Sequence, residues 1–153
     1  MLTLPRRHFV LGTIALSLAT ACRSSSSSSE TIGPLLSPAT LAARLDDVKA
    51  GKIAVLYVGP DLLFGLGHVP GARNVGAAGD EDGARALTAA LAAVPADTEI
   101  VLYCGCCPVA NCPNVRPASA ALRKLGRVNA SVLDLPTKFA TDWVDRGYPV
   151  EPK

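Results

Sequence analysis

The chain has 153 residues, 49% hydrophobic and 18% charged, enough for one domain with a core of its own and too few for two. The formal charge is +2, and Arg6 and Arg7 account for it, since without them 13 basic residues face 13 acidic ones. A neutral body with only 5% aromatic residues offers a nucleic acid neither an attracting field nor stacking surfaces, so no such partner is expected.

In chain order, Arg6-Arg7 precede the apolar run FVLGTIALSLATA, Phe9 to Ala21, which small residues close. That is a signal-peptide layout, and the run is shorter than the roughly 20 apolar residues that span a bilayer. The stretch RRHFVLG resembles a twin-arginine export signal, with Pro5 where a serine or threonine is commoner. Two exits compete. Ala19-Thr20-Ala21 fits simple cleavage, whereas ATAC, ending in Cys22, resembles a lipoprotein box with Ala19 where leucine is usual. The polar tract RSSSSSSE then reads as a tether. Residues 1–21 are thus expected to be a signal peptide, 22–36 a Ser-rich tether and 37–153 the folded domain. The expected location is outside the cytoplasm, either periplasmic or lipid-anchored through Cys22 on the outer face of a bacterial membrane. A lipid on Cys22 is the only membrane contact expected, and export exposes the thiols to oxidation.

Ser37-Pro38 starts a helix that carries Leu41, Leu45 and Val48 and stops at Gly51. IAVLYV, Ile53 to Val58, reads as a buried strand. A loop with GHVPGA, Gly67 to Ala72, follows. In DGARALTAALAAV, Ala84, Leu87, Leu91 and Val94 share a helical face that Pro95 ends. EIVLYC, Glu99 to Cys104, is the next strand and PASAALRKLG, Pro117 to Gly126, the next helix. ASVLDL, Ala130 to Leu135, is a third strand. FATDWVDRG, Phe139 to Gly147, is a closing helix with Trp143 inward. Strands alternating with helices predict an α/β domain of three layers, a central parallel sheet with helices on both faces. Ligands gather at the carboxyl ends of such strands, where Cys104 stands.

Three motifs, in order along residues 38–150, carry a resemblance: GHVPGARNV, then EIVLYC with its loop, Arg116 and LRKLG, then DWVDRGYPV. They resemble the GHIPGA-type segment, the active-site strand, cysteine, loop and helix, and the closing Trp…Gly-Tyr-Pro-Val stretch of rhodanese-like single-domain sulfurtransferases. The resemblance implies a sulfurtransferase that moves sulfane sulfur from a small donor such as thiosulfate to a thiol or cyanide acceptor. It implies a persulfide on Cys104, no cofactor, and a monomer. Two departures stand out. The family's Asp-x-Arg at the end of the preceding strand is matched by Tyr57, Val58 and Gly59, and the loop from Cys104 to Arg116 is much longer than the family's, with Cys106, Cys107 and Cys112 inside it.

Sulfur transfer needs a thiolate and a cradle for anionic sulfur, which tight-loop N–H groups around Gly105 and a helix N-terminus supply. Arg116, near the helix start, is suited to gripping an oxyanion with two prongs. Cys104 is the expected nucleophile, with Cys112, closer to the helix, as the alternative. The extra cysteines permit three readings. Cys106, Cys107 or Cys112 resolves a persulfide or sulfenic acid on Cys104. Alternatively Cys104, Cys106, Cys107 and Cys112 hold zinc or copper(I), making the domain a non-catalytic or thiol-redox module. In the third, a disulfide such as Cys107–Cys112 ties the loop. His68 and Arg73 are either rim contacts or, for His68, a structural imidazole bonding the turn. Tyr103 suits core or rim, Asp134 a turn, cap or site-facing role, and Trp143 packing. Cysteine-phosphatase chemistry is excluded, because no cysteine is followed by five residues and then arginine.

Overall fold

The computed structural model describes residues 31–152. The expected signal peptide, Cys22 and the serine run lie outside the described residues. Among the described residues, no helix is long and apolar enough to cross a membrane.

Five strands form one parallel sheet in the order β1-β5-β4-β2-β3: β1 Leu35–Leu36, β2 Ile53–Tyr57, β3 Arg73–Asn74, β4 Glu99–Tyr103 and β5 Ala130–Leu133. Central β4 pairs in register with β2 from Ile53↔Glu99 to Tyr57↔Tyr103 and with β5 from Ile100↔Ala130. Alternation along the strands divides the core in two. Leu56, Val58, Ile100, Leu102 and Cys104 face Leu87, Leu91, Ala118 and Leu122. Val55, Tyr57, Val101 and Tyr103 face Leu41, Leu45, Val69 and Trp143. The helices lie on opposite faces: α4 Glu81–Ala93 and α5 Val115–Lys124 supply the first set, whereas α1 Pro38–Ala42 and α2 Leu45–Lys49 supply Leu41 and Leu45 of the second, with Val69 added by a loop and Trp143 by the closing turn. The three-layer parallel α/β architecture expected from the sequence is the one found.

Several boundaries differ, each for a local reason. The last residues of the expected tether, Leu35–Leu36, form β1 and pair with Val132 and Leu133. The single helix expected from Pro38 is broken at Arg44, whose backbone leaves helical geometry (φ −117°, ψ 18°) while its guanidinium grips Glu99 through two hydrogen bonds of 2.9 and 2.7 Å. Ser37 caps the first piece by accepting from the Thr40 N–H at 3.1 Å. The loop expected before GHVPGA contains helix α3, Asp61–Leu66. On α4, Ala84 is exposed rather than inward; Gly83 takes the inner position against the Ala77 backbone, where no side chain fits. The closing helix is a short π-helical turn, Ala140–Val144, with Trp143 fully buried as expected.

Candidate active site

Cys104 is the first residue after β4 and is 2% exposed. Gly105 follows in the left-handed region (φ +77°), and a Cβ there would lie 2.7 Å from Phe139 Cβ, so both backbone and packing demand glycine. Its carbonyl accepts from the Phe139 N–H at 2.9 Å, which ties the loop to the start of the closing turn. Farther along, the Val109 N–H donates to the Leu135 carbonyl at 3.0 Å, and Val109 and Cys112 plug into the core. The enlarged loop is therefore folded back beneath the carboxyl end of the sheet.

This fold-back gathers the thiols. Cys104, Cys106 and Cys112 Sγ atoms all lie within 4.8 Å of one another. Cys104 and Cys106 are 3.1 Å apart, and Cys106 and Cys107 3.3 Å. All four are free thiols, with Cys106 exposed and Cys112 buried. The chain runs through Cys112-Pro113-Asn114 straight into α5, which begins two residues before the expected Pro117.

Position at the helix start separates the thiols electrostatically. Cys112 is pulled down to about 5 by a hydrogen bond from Cys104, helped by the backbone N–H groups of Val115 and Asn114. Cys104 is pushed up, first by that same bond to Cys112 and then by burial. Cys107 is pushed up to about 12 by burial and by its bonds to Cys106 and Cys112. At neutral pH the pair is therefore a Cys112 thiolate accepting from the Cys104 S–H.

Asn114, which the sequence reading missed, completes the arrangement. It stands at the N-cap of α5 but makes no side-chain cap. Instead its Oδ1 accepts from the Gly79 N–H at 2.9 Å, which turns its Nδ2 toward Cys104 Sγ at 3.5 Å. The side chain is 7% exposed, so this amide is a buried, pinned donor. Its only sequence signal is an asparagine directly before a helix, which reads equally well as an ordinary cap.

A cavity of about 350 Å³ opens over Cys104, Gly105 and Cys106. Tyr57, Leu63, Leu66, Phe139, Val144 and Val150 make its walls apolar, and among the described residues Lys138 is the one cation that lines it. Lys138 is held by Asp142, whose carboxylate accepts from the Thr137 and Lys138 N–H groups at 2.6 and 3.0 Å. Arg116 does not line this cavity; its guanidinium donates to the Ala110 carbonyl at 2.5 Å within the loop. His68 stacks on Phe64 (3.7 Å between centroids) and its Nδ1 lies 2.9 Å from the Phe64 carbonyl, the structural arrangement. Arg73 is exposed on edge strand β3, and Asp134 lines a different cavity, beside Ser37 and Arg146. Tyr103 is buried and accepts from the Val69 N–H at 3.0 Å.

The departure at Tyr57-Val58-Gly59 also has a structural account. A Cβ on Gly59 would fall 2.6 Å from Tyr57 Oη and 2.8 Å from Cys104 Sγ. Tyr57 donates to the Pro60 carbonyl at 3.2 Å and lies edge-on to Tyr103, filling the space beside the thiol. The rim is aromatic where the resembling family carries an acid and a base.

No protein-family model and no curated protein matches the chain. Solved structures do. The rhodanese-like domain of an Anabaena protein is similar over 77% of this chain and 78% of that one, at 20% identity and a TM-score of 0.56. A rhodanese-related protein from Thermoplasma volcanium matches over 78% of this chain and 99% of its own, at 16% identity and a TM-score of 0.50. A Rhodopseudomonas palustris protein described as a possible tyrosine phosphatase matches over 77% and 84%, at 16% identity and a TM-score of 0.52. The fold is rhodanese-like.

Proposed function

We propose that this domain is a sulfurtransferase that carries sulfane sulfur as a persulfide on Cys104. The observation that carries the reading is the Cys104–Cys112 pair: a strand-end thiol faces a cavity, and a second buried thiol lies within 4.8 Å of it just ahead of α5. In the first step Cys112 takes the Cys104 proton as Cys104 sulfur attacks the terminal sulfur of the donor. With thiosulfate, the new S–S bond forms as the old one breaks, sulfite leaves with the bonding pair, and Cys104 is left as the persulfide anion. In the second step an acceptor thiolate attacks the terminal sulfur, and the Cys112 proton returns to Cys104. The Asn114 amide and the Cys106 N–H donate to Cys104 sulfur and favour its anionic form. Lys138 meets the anionic end of the donor, a role the sequence had suggested for Arg116, while the apolar walls suit a donor with an organic body. Exposed Cys106, 3.1 Å away, is the resolving thiol: when no external acceptor is present its sulfur attacks the Cys104 sulfur, the Cys104–Cys106 disulfide forms as the persulfide bond breaks, and the outer sulfur leaves as hydrosulfide with the Cys106 proton.

Export belongs to the same proposal: the signal-like residues 1–21 deliver the domain across the membrane, and a lipid on Cys22 tethers it. Radiolabelled palmitate incorporated into the protein and lost in Cys22→Ser supports the tether, and an unlabelled protein overturns it. For the reaction, the protein is treated with thiosulfate or an aromatic thiosulfonate and weighed by mass spectrometry. A gain of one sulfur atom that disappears in Cys104→Ala supports transfer. An unchanged mass with both donors overturns it.

A further inference from the structure

We infer that Cys104, Cys106 and Cys112 form a three-coordinate site for copper(I). This inference shares Cys104 with the sulfur-carrier reading but stands without it. Three sulfur atoms lying mutually within 4.8 Å converge on a point that one soft ion can occupy. Two of them are buried beside rigid elements: Cys104 directly after the central strand β4, and Cys112 three residues ahead of α5. Cys106 is exposed and gives the ion a way in.

The donor set selects the metal. It is all sulfur: among the described residues no imidazole or carboxylate joins the trio, and the neighbouring amide of Asn114 presents its N–H, not its oxygen, to Cys104. Zinc closes a structural site with four ligands, whereas a trio of thiolates without a nitrogen or oxygen partner suits copper(I). Cys107 touches Cys106 at 3.3 Å but stays outside the mutually close trio. A metal-bound trio carries two negative charges, and the surroundings supply matching donors. The Asn114 amide and the Cys106 N–H point at Cys104, and the Asn114 and Val115 N–H groups point at Cys112. The Gly79 N–H that fixes Asn114 acts one layer farther out. Binding replaces the thiol protons with the ion, with no change of oxidation state. Because Cys104 cannot hold copper and a persulfide together, each excludes the other.

The test uses the full chain carrying Cys22→Ser, so that four thiols remain, titrated without oxygen by the acetonitrile complex of copper(I) against a colorimetric chelator. The expected result is one ion per chain. Cys104→Ser, Cys106→Ser and Cys112→Ser should each weaken it by at least the roughly hundredfold that loss of an outer-layer partner reaches, and Cys107→Ser should not. X-ray absorption on the unsubstituted cluster reads the geometry directly and does not depend on any variant folding; three sulfur neighbours are expected. Two or four neighbours, or a Cys107→Ser loss equal to that of Cys112→Ser, overturns the site. Sulfur uptake from thiosulfate, measured on the metal-free protein, reports separately on the sulfur-carrier reading.

Discussion

At Cys104 three neighbours decide what the sulfur can do. Cys112 accepts its proton, the Asn114 amide donates to it, and Gly59 leaves the room that it and Tyr57 occupy. Cys112→Ser removes the base while keeping the loop's shape. Sulfur loading at pH 7 should fall about a hundredfold, within the range of general-base contributions, when followed by rapid quench and mass spectrometry. Asn114→Ala should slow loading about ten- to hundredfold, because one hydrogen bond to a charged group is worth about 1.5–3 kcal/mol. Asn114→Asp, which sets a carboxylate against the same sulfur, should slow it more; equal rates in the two variants would mean that the amide only packs. At Gly59, alanine has no space. Chemical denaturation of Gly59→Ala should show a loss of about 1–3 kcal/mol, typical of overpacking, together with reduced loading.

At the scale of elements, the loop and the closing turn act together as one wall of the cavity. Gly105 accepts from Phe139, Asp142 holds the Thr137-Lys138 turn, and Trp143 anchors it through its Nε1 bond to the Pro149 carbonyl at 2.8 Å. Trp143→Ala should cost about 3–5 kcal/mol in denaturant unfolding, as for other fully buried aromatics. The strands were legible because EIVLY and IAVLY are short, apolar runs, and α4 because Leu87 and Leu91 recur at helical spacing. Cys104 was legible as a strand-end residue. Which thiol is charged was not, because it depends first on the bond that the folded-back loop lets Cys104 make to Cys112, and then on the N–H groups of Val115 and Asn114. Arg116 stands in the first turn of α5, as its position suggested, and its guanidinium donates to the Ala110 carbonyl of the folded loop. Lys138 carries no local signal and Asn114 only that of an ordinary cap, since each gains its role through contacts distant in sequence.

For the whole molecule, the buried thiol pair links folding to pH. Cys112 is depressed to about 5, so between that value and the ordinary thiol pKa near 8.5 the unfolded chain holds a proton that the folded one lacks. Stability should therefore rise with pH across this window and be lost as pH falls through about 5. Above about 8.5 the unfolded chain also releases the Cys104 proton, which the folded chain retains, so stability should turn down. Unfolding midpoints recorded from pH 5 to 10 should show a maximum near 8.5 that is absent in Cys112→Ser; matching curves for the two proteins would remove the thiolate from the account.

The same pair gives the most direct test of the sulfur carrier: the rate at which Cys104 gains sulfur from an excess of donor, mapped by peptide mass across pH 4.5 to 9.5. The predicted profile for the unsubstituted protein is level from about pH 6 upward and falls near pH 5, as Cys112 becomes protonated. In Cys112→Ser it should climb steadily toward the ordinary thiol range near 8.5. Sulfur appearing on Cys112 instead of Cys104, or one profile shared by both proteins, would contradict the account.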